Sequence, residues 1–403
     1  MKLMWLVLIA ALLVSIITLP FVYTQYEISN AFSSDNFLFG VSFGINSVQD
    51  AKLLIDKVKG YTNMFAIDSW DISMNETELT QVCDYAAQAN LKFMVYFEFI
   101  FNSNANNSRY WDNASLTSGF NAWHIPWLSN AKVKYGDKFL GIYLSDEPGG
   151  NQIDTGYWGG TNHTYSGRAV TTFTNVTDYN DAANRYNSSL SHSSMQVAKN
   201  LSLPVFTSDY ALQWFDYLAG YDAVFTELGD TRGTDSKLQQ IALCRGAANV
   251  QNKQWGAIIT WTYNNPPYYE NGVDMLGDMT NAYYAGANYL IVFNYPQGAL
   301  TEEHFSAMQE FWNQIHSHPR NSVGTTEGQV AFVLPKNYGW GMRTPDDNIW
   351  GLWPADNESA IIWDKMTTLL NSYGLRLDIV YDDPQYNIQQ KYSQIYYWNG
   401  TTG

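Results

Sequence analysis

The stretch from Gly141 to Gly150 reads GIYLSDEPGG, a short apolar run that meets two adjacent acids, then a proline and two glycines. Neighbouring like charges repel, so Asp146 and Glu147 are either solvated loop residues or are held side by side for chemistry. Other runs of strand length end similarly: MFAIDSW carries Asp68, FMVYFEF carries Glu98, VFTSDY carries Asp209 and AVFTELGD carries Glu227. Side chains alternate along a strand with period two. Counted back from the acids, Met64/Ala66/Asp68, Met94/Tyr96/Glu98, Tyr143/Ser145/Glu147, Val205/Thr207/Asp209 and Ala223/Phe225/Glu227 each share one face. The opposite faces are mostly bulkier and apolar. Solvated loop acids have no reason to share that parity. A pair of carboxyls in one mouth can work on a glycosidic bond, one protonating the leaving oxygen and the other stabilising or attacking the cationic sugar.

The surrounding residue types suit a sugar. The chain has 15 Trp, 29 Tyr and 20 Phe, and flat rings pack on sugar faces; core packing is the ordinary alternative for any one of them. Trp70, Trp261, Tyr263 and Tyr295 lie at or just beyond strand ends, and Asn264 and Asn294 are placed to hydrogen-bond hydroxyls. These residues, with Asp68, Glu98 and Asp209, form the expected substrate-binding set around the catalytic candidates Glu147, Glu227 and Asp146. None of the six histidines lies at a strand end, and no D-x-D-x-D-G loop occurs. No metal and no cofactor are therefore expected.

The acids need a scaffold that gathers strand ends. From about residue 37, eight apolar runs alternate with amphipathic stretches, several with caps or terminal glycines where helices should begin and end. This rhythm predicts a (β/α)8 TIM barrel over residues 33–320, whose sites lie at the C-terminal ends of the strands. A doubly wound sheet is disfavoured, because no glycine-rich phosphate loop follows the first strand. Two long loops, 149–180 and 264–277, leave that same face, and TTFTNVT in the first has the pattern of a local hairpin. After residue 328 the segments VAFVLP, ESAIIWDKMTTLLNSYG, RLDIVYDD and QIYYW predict a small α/β domain over 328–403. It is either incomplete or borrows its cover from the barrel. Cys83 and Cys244 fall in predicted helices without metal-ligand spacing and are expected as free buried thiols.

Lys plus Arg is 22 against 38 for Asp plus Glu, a net charge of −16, and no basic stripe appears. Nucleic acid is excluded as a partner, since phosphate neutralisation needs clustered cations. Residues 1–25 hold an uncharged run, 3–23, after Lys2. Its length spans a bilayer. We expect an uncleaved signal anchor at the cell membrane with the remaining chain extracellular; a cleaved signal peptide and a secreted protein is the alternative. N-x-S/T sequons at Asn75, Asn106, Asn113, Asn162, Asn175, Asn187, Asn200, Asn357 and Asn399 agree with export.

A fourth barrel strand ending in acid-Glu-Pro, with aromatics on later strands, resembles retaining glycoside hydrolases. The large β-glycosidase clan carries Asn-Glu-Pro there, with the Glu as acid/base; here Asp146 replaces that Asn. Its nucleophile lies on strand seven, which here ends TWTYNN with no acid. Asp146-Glu147-Pro148 is similar to N-acetylhexosaminidases that use substrate-assisted catalysis, which implies Glu147 as the acid and Asp146 as partner of the substrate acetamide. α-Galactosidase-like barrels pair strands four and six, which implies Glu147 or Asp146 with Glu227. Parity sets Asp146 on the opposite face, so only a bulge or turn brings it inward; the pair Glu147–Glu227 is expected. The resemblance implies a glycoside hydrolase acting on a carbohydrate, and the uncharged run 3–23 leads us to expect it membrane-anchored and extracellular. The rival reading is a non-catalytic glycan-binding or envelope protein on the same scaffold.

Overall fold

The computed structural model describes residues 37–97, 123–156, 163–165, 168–170, 176–191, 193–229, 234–320 and 329–402. The apolar run 3–23, Glu98 and the sequons at Asn106, Asn113, Asn162 and Asn175 lie outside the described residues. Among the described residues no helix is long and apolar enough to cross a membrane.

Eight parallel strands close into a barrel. In chain order they are β1 (Leu38–Phe43), β2 (Met64–Ile67), β3 (Lys92–Tyr96), β4 (Phe139–Tyr143), β7 (Val205–Asp209), β8 (Ala223–Glu227), β9 (Gln254–Ile259) and β10 (Tyr289–Val292). Strands β5 (His163–Tyr165) and β6 (Arg168–Val170) form a hairpin in the loop after β4. It sits earlier than TTFTNVT, of which 171–175 lie outside the described residues. The helices start where polar caps satisfy their first amides. Ser47 caps Val48–Val58, and Asn75 caps Glu76–Gln88 through the amides of Thr77 and Glu78. Asp178 and Asn271 do the same for Tyr179–Leu190 and Gly272–Tyr284. Cys83 and Cys244 are both buried and free.

The barrel interior is filled by Met64, Ala66, Met94, Phe206, Ala223, Phe225, Ile258, Tyr289 and Ile291. This corrects one expected face. Partners in a parallel ladder share a face, and Phe206 pairs with Ala223 while Ser208 pairs with Phe225. Phe206 and Ser208 therefore point inward, and Val205, Thr207 and Asp209 point out under the helices. The acid at the end of β7 does not belong to the interior ring.

The small C-terminal unit is a three-stranded parallel sheet in the order β12-β11-β13, from β11 (Val330–Leu334), β12 (Leu377–Tyr381) and β13 (Gln394–Tyr397), with helix Asn357–Tyr373 crossing between β11 and β12. It takes cover from the barrel helix Thr234–Gln251. Arg245 and Asp378 pair there at 2.7 Å with neither side chain exposed. A Cβ on Gly246 would lie 2.5 Å from the Ile379 carbonyl, so only glycine admits this approach.

Candidate active site

A cavity of about 600 Å³ opens at the C-terminal mouth of the barrel, a volume ordinary for a small-molecule site. Asp68, Trp70, Asp146, Glu147, Glu227, Trp261 and Tyr295 line it, with Ser42, Asn46, Asp71, Tyr96, Tyr143, Ser208, Thr260 and Phe293.

The end of β4 is what brings two adjacent acids into one pocket. The strand stops at Tyr143, and the chain then takes left-handed conformations at Ser145 (φ 57°) and Glu147 (φ 49°). Period-two alternation ends there, so the turn swings Asp146 inward without losing Glu147. Such conformations are costly for residues with a Cβ and persist only where neighbours hold them. Here the Glu147 amide donates to the Ser208 carbonyl at 3.1 Å, and the Thr207 hydroxyl donates to the Ser145 carbonyl.

A polar network links the acids. Tyr143 donates its hydroxyl to Asp146 Oδ1 at 2.7 Å and lies 2.6 Å from Ser208 Oγ. The Ser208 amide donates to Tyr143 Oη at 2.9 Å, and the Ser208 hydroxyl donates to Glu227 Oε1 at 3.0 Å. Pairing of Glu147 with Glu227 raises the pKa of the first and lowers that of the second. Of the two, Glu147 therefore keeps its proton to the higher pH. Repulsion from Glu227 is the largest cause holding Glu147 well above the usual carboxylate range, followed by burial and the charge of Asp146. Burial, with Asp146 adding to it, pushes Glu227 up to about 8. Burial also raises Asp146, against the hydrogen bonds from Tyr143 and Ser208. Two carboxyls whose surroundings separate their roles mark an acid and a base. The arrangement can hold a proton on Glu147 while Glu227 stays available as the anionic partner.

Glu227 ionises near 4.5 in an unfolded chain and near 8 in the folded one. Between those values the folded state binds more protons than the unfolded state, so stability falls as pH rises through that window. Glu227→Gln is accordingly expected to raise Tm relative to the parent at pH 8, with the gain shrinking toward pH 4.5. Calorimetric scans at both pH values check it, and an equal gain at the two would contradict the shift.

The expected aromatic set divides. Trp261 and Tyr295 stack with ring planes 16° apart, fixed by a hydrogen bond from Trp261 Nε1 to the Tyr295 carbonyl at 2.6 Å. With half-exposed Trp70 they give the mouth its flat apolar surfaces. Tyr263 and Asn264 are exposed and do not line the cavity. They fall beyond the end of β9 in the following loop, where strand parity no longer applies. Asn294 does not line it either; its neighbours Phe293 and Tyr295 do, and alternation turns it away. Its backbone N–H donates to Ser42 Oγ at 3.2 Å. Asp209 is fully buried behind the pocket wall. Of the lining residues that sequence reasoning missed, Tyr143 and Ser208 are the ones bonded to the acids. Tyr143 shares the inner face of β4 with the acids, which was a usable signal; Ser208 was hidden by the inverted face of its strand. Among the described residues no group of three or more His, Cys, Asp or Glu is arranged to hold a metal ion.

The fold and the site together define a TIM barrel with an interacting carboxyl pair at its C-terminal mouth. No protein-family model matches the chain, and no curated protein does. Solved structures match its fold. A GH5_18 protein from Streptomyces cattleya, in complex with GlcNAc, aligns at TM-score 0.52 and 10% identity, covering 90% of this chain and 99% of that one. α-L-Fucosidase isoenzyme 2 from Paenibacillus thiaminolyticus aligns at TM-score 0.53 and 13% identity over 89% of this chain; the chain spans 59% of its length. At such identities the likeness establishes the barrel fold that both share with this chain.

Proposed function

We propose that this protein is a glycoside hydrolase in which Glu147 is the general acid and Glu227 the nucleophile. The observation that carries the reading is that both carboxyls line one aromatic-walled pocket at the barrel mouth, where each shifts the ionisation of the other. Carboxyls about 5–5.5 Å apart work through a covalent glycosyl intermediate, and those about 6.5–9.5 Å apart admit an intervening water. The strong mutual influence of Glu147 and Glu227 favours the closer arrangement and the covalent route. Carbohydrate-acting fold neighbours add weight at the level of scaffold only.

The described lining contains five carboxylates, Asp68, Asp71, Asp146, Glu147 and Glu227, and no Lys, Arg or His. Against this described lining an anionic sugar would meet like charge without a counter-ion. The expected substrate is a neutral glycan. The test is a panel of aryl glycosides and polysaccharides given to the soluble part of the chain. Neutral glycosides are expected to turn over, with uronides at least ~100-fold slower, the scale of a few kcal/mol of unpaired charge. Sugar binding without turnover across the panel would replace this reading with a glycan-binding protein. Turnover of uronides alone would overturn the assignment of substrate charge.

We further propose that the protein is anchored at the cell membrane with these domains outside. The uncharged run 3–23 supports it, as do the exposed sequon residues Asn75, Asn200, Asn357 and Asn399. Partition of the native protein into detergent, with the run retained, is the expected result; a freely soluble form starting near Tyr26 would contradict it.

A further inference from the structure

A second carboxyl pair lies behind the pocket, and the proposed chemistry does not use it. Asp209 ends β7 on its outer face and is fully buried. Its Oδ2 accepts from the Gly149 amide, and its Oδ1 accepts from the Gly150 amide at 2.9 Å and the Ala211 amide at 3.0 Å. Gly149 and Gly150 open the helix Pro148–Thr155, directly after Glu147. The approach tolerates no side chain: a Cβ on Gly149 would lie 2.2 Å from the Ala211 carbonyl oxygen, and one on Gly150 would lie 2.1 Å from the Tyr210 ring. Asp216, on helix Gln213–Ala219, is also fully buried. Its Oδ1 accepts from Tyr186 Oη at 2.6 Å, while its Oδ2 meets no N–H or O–H donor among the described residues. It meets the Asp209 carboxyl instead. Two buried acceptors cannot face each other without a proton between them, and Asp216 holds it, which leaves Asp209 free to accept from both glycine amides.

We infer that Asp209 is a positioning residue for Glu147, gripping the two amides that follow it so that the left-handed turn keeps the Glu147 carboxyl against Glu227, with Asp216 keeping Asp209 an acceptor. Its effect on turnover rests on the glycosidase reading; its effect on the resting site does not. The titratable groups that feel the charge of Asp209 are Asp216, Tyr186, Tyr210, Cys244, Glu147 and Glu227. The negative charge of Asp209 helps to keep the proton on Glu147.

The experiment is an infrared pH titration of the resting protein, following the protonated-carboxyl band that Glu147→Gln removes, together with kcat and KM on a neutral aryl glycoside. In Asp209→Asn one acceptor becomes an N–H donor that opposes a glycine amide. The band is expected to vanish at lower pH than in the parent, and kcat to fall ~10–100-fold with KM little changed, the scale of a misplaced general acid. Asp216→Asn still donates to Asp209 and should stay within about threefold of the parent in kcat, since the bond is retained. Asp216→Leu removes the donor, forces the proton onto Asp209 and should reproduce the Asp209→Asn shift, so the comparison survives if Asp209→Asn does not fold. An unchanged Glu147 titration in Asp209→Asn or Asp216→Leu, with only Tm lowered, overturns the inference and leaves a purely structural role. A parent that does not turn over while the infrared shift appears removes the glycosidase reading and keeps the positioning role.

Discussion

Glu147→Gln is expected to lower kcat on an oligosaccharide or alkyl glycoside ~10²–10⁴-fold, the usual contribution of a positioned general acid. KM should change little. The size of the loss must depend on the leaving group. A nitrophenolate departs without a proton, so an activated aryl glycoside should lose far less than a sugar or alkyl leaving group. Glutamine keeps the shape and can still donate an N–H to Glu227, so the fold and sugar affinity should persist. The pH profile should change with it. In the parent, Glu227 must lose its proton while Glu147 keeps one. Both are held above the usual carboxylate range, Glu147 first by its partner's charge and Glu227 first by burial. Activity should therefore decline as pH falls below about 8 and Glu227 becomes protonated; the pair titrates as a unit, and the two limbs belong to it jointly. Gln is as neutral as protonated Glu147, so the acid limb set by Glu227 should stay near its place, while the alkaline limb set by loss of the Glu147 proton should disappear. Steady-state rates of two substrates differing only in leaving-group basicity, measured across pH, check both parts. A loss independent of the leaving group would take Glu147 out of the acid role.

The barrel was legible because its signal is repeated eight times. β1 alone is ambiguous, but the alternation of apolar runs with capped helices is not, and Ser47 at the start of the first helix behaves as its position suggests. The inward faces of β2, β3 and β8 were readable by counting, and so Asp68 and Glu227 reach the pocket. Counting failed wherever an acid was taken as evidence for its own face. Asp209 ends its strand as Glu227 does, yet pairing with Thr226 turns it outward. The apolar member of the other parity, Phe206, was the better guide, since a large ring is needed to fill the barrel centre. Asp146 illustrates a different limit. Its approach depends on positive φ at Ser145 and Glu147, and neither residue type announces that conformation as a glycine would. The Pro148-Gly149-Gly150 run marked a turn, but the role of its glycines lies in what presses on them, Asp209 and Tyr210, some sixty residues away.

Glu227 and Asp146 both face the same pocket, and the contrast between them decides the mechanism. Glu227→Gln is expected to lower kcat ~10³-fold or more on matched aryl glycosides with either a 2-hydroxyl or a 2-acetamido group, and Asp146→Asn only ~10-fold, because a displaced nucleophile costs more than a lost orienting contact. The hydrogen bonds give the reason. Asp146 Oδ1 already receives the Tyr143 hydroxyl and lies 3.4 Å from Ser208 Oγ, which fixes it and spreads its charge. Glu227 instead pairs with protonated Glu147 and accepts from the Ser208 hydroxyl. When a glycosidic oxygen becomes the acceptor for the Glu147 proton, Glu227 keeps only the Ser208 donor and turns more of its negative charge toward the sugar. Charge of that kind appears where a cationic centre develops, and it is created by the same proton transfer that releases the leaving group. The acetamide route requires the reverse order of effects: Asp146→Asn would be the costlier change, 2-hydroxy glycosides would not react with the parent, and Glu227 would serve only to hold the proton on Glu147 through repulsion. In that case Glu227→Gln should leave a measurable rate whose pH profile is shifted down, whereas loss of the nucleophile leaves no profile to shift.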